Sequence, residues 1–259
     1  MHGHGHRQMS ENTSRRQLPP RSSLVGDVYD IIIEALVSNE IEPGISFNID
    51  GFARQLGISP TPVREALGRV EAEGLVVKLP NRGVMAAPLL TEDQVRQMTE
   101  VRVLLEPWAA ARAAELADSA ATDRLRVLAK HETSPADQDV LYREDMQADA
   151  AFHDAIWELS GNEVLRDGLT RLHCHLHLYR LGYNAELRSV SEAEHLQIAD
   201  AIAEGDAEAA ELAMLAHIST ASTRIHKQIL RNQTVAIEHA PPLAASMAVV
   251  PARRRDQWQ

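Results

Sequence analysis

Asp149 and His153 are four residues apart. On a helix that spacing puts both side chains on one face, about one turn apart. His195 and His217 follow in two later segments of helical pattern, 22 residues from each other. One carboxylate and three imidazoles suit a borderline divalent ion such as Zn2+ or Ni2+, with positions left for water or a ligand. On spacing alone the same four residues serve equally well as surface or capping groups. His173, Cys174, His175 and His177 form a second cluster, in which only His173 and His177 share a helix face. A second metal site, a pocket-facing imidazole and plain packing all fit that pattern. Cys174 is the sole cysteine and reads as a small core residue. It excludes an internal disulfide framework and fits a reducing compartment.

A second set of chemically capable residues lies nearer the N-terminus. Ser59, Thr61 and Arg64 stand at the start of a short helical pattern. Polar groups there can meet phosphate beside free backbone N–H groups, and an arginine fork matches a guanine edge. Arg54, Arg69 and Arg82 are placed for phosphates, and Gly83 permits close approach of a wing tip to a DNA backbone.

The elements that must position these residues are legible from periodicity and punctuation. Leu24, Val28, Ile31, Ile32, Ala35 and Leu36 recur at helical spacing. Asp50 is the expected N-cap of a short helix through Leu56, with Gly57 as its stop. Ser59 is expected to cap the next helix, with Pro60 and Pro62 in its first turn and Gly74 at its end. LVVKL (75–79) and GVMAA (83–87) read as a strand hairpin. Helix, turn, helix and hairpin are the outline of a winged helix-turn-helix, whose second helix sits in the major groove.

Beyond Pro88 the pattern is helical to about Arg231, with no strand signal. Thr91 and Gln94 form a capping-box pair for a helix to about Ala117, with a kink expected near Val103–Glu106 on account of Pro107. Further helices are expected over about 121–132, 136–160, 162–182, 188–204 and 206–231, six in all. The organisation is thus a flexible arm or tag (1–22), a winged helix-turn-helix (23–88), a helical domain (89–231) and a flexible tail (232–259). The fold class is mainly α, with an all-helical antiparallel bundle as the larger part.

The chain has 259 residues, with 44% hydrophobic and only 4% aromatic residues, which favours helices over a β-sandwich. No apolar run approaches a membrane span and no signal peptide is visible, so a cytoplasmic protein is expected. The formal charge of −11 argues against indiscriminate coating of nucleic acid. Divided by segment, the acidity belongs to residues 89–231, with 14 basic and 25 acidic groups; residues 52–82 carry five basic and three acidic groups.

DVYDIIIEALVSNEIEPG followed by FARQLGISPTPVREALGRVEAEGLVVKLPNRGV closely resembles the winged-helix domain of GntR-family transcriptional regulators. The resemblance implies DNA contacts from Arg54, Ser59, Thr61, Arg64 and Gly83. One departure is Pro60, where the family usually carries arginine or another polar residue. Residues 91–231 resemble the FCD domain of the FadR subgroup, through VRVLLEP, DAAFHDAI with SGN, EAEHLQIADAI with GD, and AHI. That resemblance implies a divalent metal, Zn2+ before Ni2+ or Mn2+, held by Asp149, His153, His195 and His217. It also implies a small organic acid as effector, with Arg102 as its clamp. The expectation is a homodimeric one-component repressor of operator DNA, with a hinge near 86–91. The alternatives are a metal-dependent hydrolase and a regulator that senses the metal ion itself.

Overall fold

The computed structural model describes residues 22–80, 83–130, 138–182 and 185–238. Residues 1–21, residues 81–82 with the candidate Arg82, and residues 239–259 lie outside the described residues.

The first domain is α1 (Ser22–Val37), α2 (Ile49–Gln55), α3 (Pro60–Ala72), β1 (Val76–Leu79) and β2 (Gly83–Ala86). The strands pair antiparallel, from Val76 opposite Ala86 to Leu79 opposite Gly83. The apolar stripe of α1 (Val28, Ile32, Leu36) packs on Val63, Leu67 and Val70 of α3 and on Leu75 and Val84 of the wing. Two caps differ from expectation. The N-cap of α2 is Asn48, whose Oδ1 accepts from the Gly51 amide at 2.9 Å. Asp50 lies within the first turn instead, where its charge still favours the helix dipole. Ser59 occupies the N-cap of α3, but its side chain makes no capping hydrogen bond. The reason is the sequence after it: Pro60 and Pro62 remove the N–H groups of the first and third helical positions, and the third is a usual capping donor.

The second domain holds α4 (Glu92–Leu116), α5 (Ser119–Ala129), α6 (Gln138–Leu159), α7 (Glu163–Thr170), α8 (Cys174–Tyr179), α9 (Ala185–Ala203) and α10 (Ala207–Glu238). Thr91 and Gln94 form the expected capping box, and α4 runs unbroken through Pro107. The single helix expected over 162–182 is two helices. Arg171–His173 form a turn, and His173 is left-handed at φ 46°, so the axis cannot continue into α8. The described residues thus hold seven helices here, not six, and α10 extends past residue 231 to Glu238. The bundle core is Phe152 and Ile156 of α6, Leu125, Leu169, Ile198, Ile202 and Met214. Ala109, Ala110, Ala113 and Ala114 give α4 a smooth buried face, against which α9 and α10 pack. Deleting a side chain such as Phe152 from this core costs about 3–5 kcal/mol.

The two cores touch. Met146 of α6 and Tyr179 of α8 are buried in the apolar cluster of the winged domain.

Candidate functional site

Three helices deliver the imidazoles that the sequence singles out. His153 on α6, His195 on α9 and His217 on α10 each offer a ring nitrogen, and these atoms lie within 4.8 Å of one another. All three residues are buried, His153 completely. The rings are oriented by carboxylates. His153 Nδ1 lies 2.6 Å from Glu106 Oε2, and His217 Nδ1 lies 2.8 Å from Glu194 Oε2. Each ring therefore keeps Nε2 for the centre, the arrangement found when a histidine ligates a metal. His195 stacks on Phe152, with ring centroids 4.2 Å apart. The Nε2 atoms of His153 and His195 are buried with no hydrogen-bond partner among the described residues.

Asp149 stands beside this trio rather than within it. Its Oδ1 is 3.4 Å from His195 Nε2, while its Oδ2 lies 2.6 Å from His175 Nδ1. Of the four residues read as ligands, the three histidines converge, and Asp149 lies between His195 and His175.

The electrostatics favour metal-ready ligands. Burial pushes His153 down to about 4, outweighing the attraction of Glu106. Burial and the neighbouring His217 put His195 well below its ordinary value. Both rings are then neutral at pH 7, the form that binds a cation. Burial alone would raise the Glu106 carboxyl, but Arg102 and His153 hold it well below the usual range. Glu194 is likewise opposed by burial and brought down to about 2 by His217 and Arg224. His175 behaves differently: burial opposes its charge, yet Cys174 and Asp149 lift it to about 10.

A cavity of about 70 Å3 opens beside the trio, lined by Arg102, Asp149, His175, Ser191, His217 and Arg224, with Leu178, Tyr179 and Ile225 as apolar wall. Arg102 is buried, and its Nε donates to Glu106 Oε1 at 2.5 Å. Its Nη2 has no partner among the described residues, nor has His175 Nε2. Arg224 is occupied, donating to both oxygens of Glu194 at 2.7 and 2.8 Å. Arg102 thus lines the cavity with one of its guanidinium nitrogens held by Glu106. Glu106, Glu194 and Arg224 were not singled out by sequence. The available signals were Glu106 four residues after Arg102 and Glu194 next to His195, and neither has a motif.

In the winged domain, Arg54, Ser59, Thr61, Arg64 and Arg69 are exposed. Arg64 Nη2 lies 3.7 Å from Asp50 Oδ1, a solvent-exposed pair too weak to withhold it from DNA. Arg69 lies over the Tyr29 ring, 4.2 Å from its centroid, and Tyr29 donates its hydroxyl to Glu73 at 2.8 Å. Gly83 opens β2 at φ 80°, a conformation costly for any residue with a Cβ.

The chain matches two family models. Residues 24–85 match the gntR family of bacterial regulatory proteins, and residues 97–220 match the FCD domain. An HTH-type transcriptional regulator from an unstable DNA locus of Streptomyces ambofaciens is 30% identical over 236 residues, 88% of this chain and 93% of that protein. The HTH-type regulator LutR of Bacillus subtilis is 30% identical over 206 residues, 70% of this chain and 92% of its own. Among solved structures, E. coli McbR/YncC superposes with a TM-score of 0.60 at 22% identity, over 80% of this chain and 98% of that one. That likeness concerns the fold alone. The described residues include no helix long and apolar enough to cross a membrane. A winged helix-turn-helix joined to a helical domain, matched over 70% and 88% of its length by such relatives, makes this chain a GntR-family transcriptional regulator with an FCD domain, and not an enzyme.

Proposed function

We propose that this regulator is a homodimeric repressor whose helical domain holds a divalent metal, Zn2+ in the first instance, and beside it a small organic acid. The observation that carries this reading is the trio of buried imidazoles, two of them oriented by carboxylates so that Nε2 faces the centre. His153, His195 and His217 would hold the ion, with Asp149 as the adjacent carboxylate. The ion would supply a Lewis-acidic position for an anion. The unpartnered Nη2 of Arg102 and Nε2 of His175 offer two donors on the cavity wall, and a space of about 70 Å3 suits a small acid rather than a drug-sized ligand. Occupancy would alter operator affinity by favouring one placement of the winged domains.

Operator contacts fall to Ser59, Thr61 and Arg64 at the start of α3, to Arg54, Arg69 and Arg82, and to Gly83 in the wing. Two-fold operators call for a two-fold protein. On α4, Val101, Leu104 and Trp108 form an exposed apolar stripe at i, i+3 and i+7, the kind of face a second copy would cover.

Native mass spectrometry of the purified full chain tests the reading in one measurement. The expected species is a dimer with one divalent ion per chain, and His195→Ala loses the ion while remaining dimeric. A wild-type dimer without any ion, or His195→Ala with full metal content, would refute the assigned site. Operator release by chelator alone, matching release by an organic acid, would instead make the ion itself the signal.

A further inference from the structure

The six-residue helix α8 has one side in the candidate site and the other in the winged domain. On the site side, His175 lines the cavity and lies 2.6 Å from Asp149. Two residues later, His177 Nε2 lies 3.1 Å from the backbone carbonyl of Glu73, at the end of α3. The approach is close enough that a Cβ on Gly74 would sit 3.4 Å from His177 Nε2. Arg180, the C-cap of α8, is only 1% exposed. Its guanidinium is held by backbone carbonyls: Nε donates to Leu36 at 3.2 Å and Nη2 to Ala87 at 2.8 Å. Leu36 lies in the last turn of α1, and Ala87 begins the connection from the wing to the helical domain. Asn39 closes the contact by donating Nδ2 to the Arg180 carbonyl at 3.0 Å. Between them, Leu176 and Tyr179 pack against the winged-domain core.

A buried guanidinium is stabilised only while its acceptors stay in place. Among the described residues, the carbonyls that accept from Arg180, those of Leu36 and Ala87, belong to the DNA-reading half, so α8 is tied to that half. His175 and Asp149 fix the same short helix to the cavity. A group that engages Asp149 or His175 therefore meets the same short helix that His177 and Arg180 tie to the winged domain.

We infer that α8 is the coupling element between the cavity and the DNA-reading domain, with His177 and Arg180 as positioning residues that lock it to the ends of α3, α1 and the wing. This rests on the proposed metal site, and it names the route by which occupancy is felt.

The test is amide hydrogen exchange, read by mass spectrometry, on the full-length wild type, His177→Phe, His177→Gln and Arg180→Lys. Each is measured with and without Zn2+, and Zn2+ affinity is taken by calorimetry on the same samples. In the wild type, Zn2+ should slow exchange in α6, α8, α9 and α10, and also in peptides spanning 34–41 and 71–76. The winged-domain effect should be about fivefold, the scale of one net hydrogen bond. His177→Phe and Arg180→Lys should keep Zn2+ affinity and lose the winged-domain protection, whereas His177→Gln, which retains an N–H donor, should recover most of it. Equal winged-domain protection in wild type, His177→Phe and Arg180→Lys overturns the latch. So does wild-type protection confined to the bundle. If Arg180→Lys fails to fold, the two His177 variants decide the question. A wild type that binds no Zn2+ overturns the metal reading and the latch with it, and the calorimetry separates that failure from the others.

Discussion

Glu106 joins the two charged features of the site. It is fully buried, accepts from Arg102 through one oxygen and lies against His153 through the other. Replacing it with Gln keeps the shape but leaves the Arg102 charge uncompensated in the core. Breaking such a buried pair costs about 3–5 kcal/mol, and losing a carboxylate behind a metal-bound histidine costs about 10–100-fold in metal affinity. Glu106→Gln should therefore lower the midpoint of thermal unfolding and raise the Zn2+ dissociation constant together. Acid should act through the imidazoles. His153 and His195 have folded values below their ordinary 6.5, about 4 for His153. The unfolded chain then binds more protons between those limits, so stability falls as pH falls. The contribution is fully present above about pH 6.5 and is lost toward pH 4. Thermal melts of the metal-free protein should show this slope, and His153→Gln should reduce it.

At the scale of elements, the start of α3 is unusual for a helix that must meet phosphates. Pro60 and Pro62 withhold two of the first backbone donors, and Ser59 makes no capping bond. Its hydroxyl is therefore available to DNA, while the anion-binding capacity of the helix end is reduced. Pro60→Arg should add one phosphate contact. The expected outcome is tighter binding to all duplexes and a steeper dependence of log affinity on log salt, by about one unit. Fluorescence anisotropy over a salt series measures both, and an unchanged slope would show that position 60 does not face the backbone.

At the scale of the molecule, the acidity and the apolar surface have separate places. The helical domain carries the net negative charge, unfavourable beside DNA phosphates, whereas residues 52–82 hold five basic and three acidic groups. On that domain Leu104 is 75% exposed, flanked by Val101 and Trp108 on the same face of α4. An aspartate there is harmless in a monomer and costly in a covered interface. Under the proposed dimer, Leu104→Asp should shift the protein to monomer in sedimentation velocity while leaving its helical content unchanged. Operator affinity should fall with it, because each half-site is then bound alone.

The sequence by itself determined the helical and winged elements, the hairpin and the capping box at Thr91, whereas the histidine trio was legible only through the resemblance to FCD domains. The elements are local matters, set by periodicity, punctuation and motif spacing along one segment. It misplaced the α2 cap by two residues, and it did not show the break at His173, because a left-handed histidine leaves no mark in composition. Only the tertiary structure decided which groups face the imidazoles. Glu106 and Glu194 look like ordinary surface acids on helical segments until packing carries them beside His153 and His217. Asp149 divides its two oxygens between His195 and, 26 residues away, His175, a sharing that spacing along the chain does not reveal. The latch at Arg180 joins positions up to 144 residues apart, through backbone carbonyls that every residue possesses. Side-chain types encode what a segment can do, but the partners of a buried charge depend on which helices pack together, and that is a property of the whole chain.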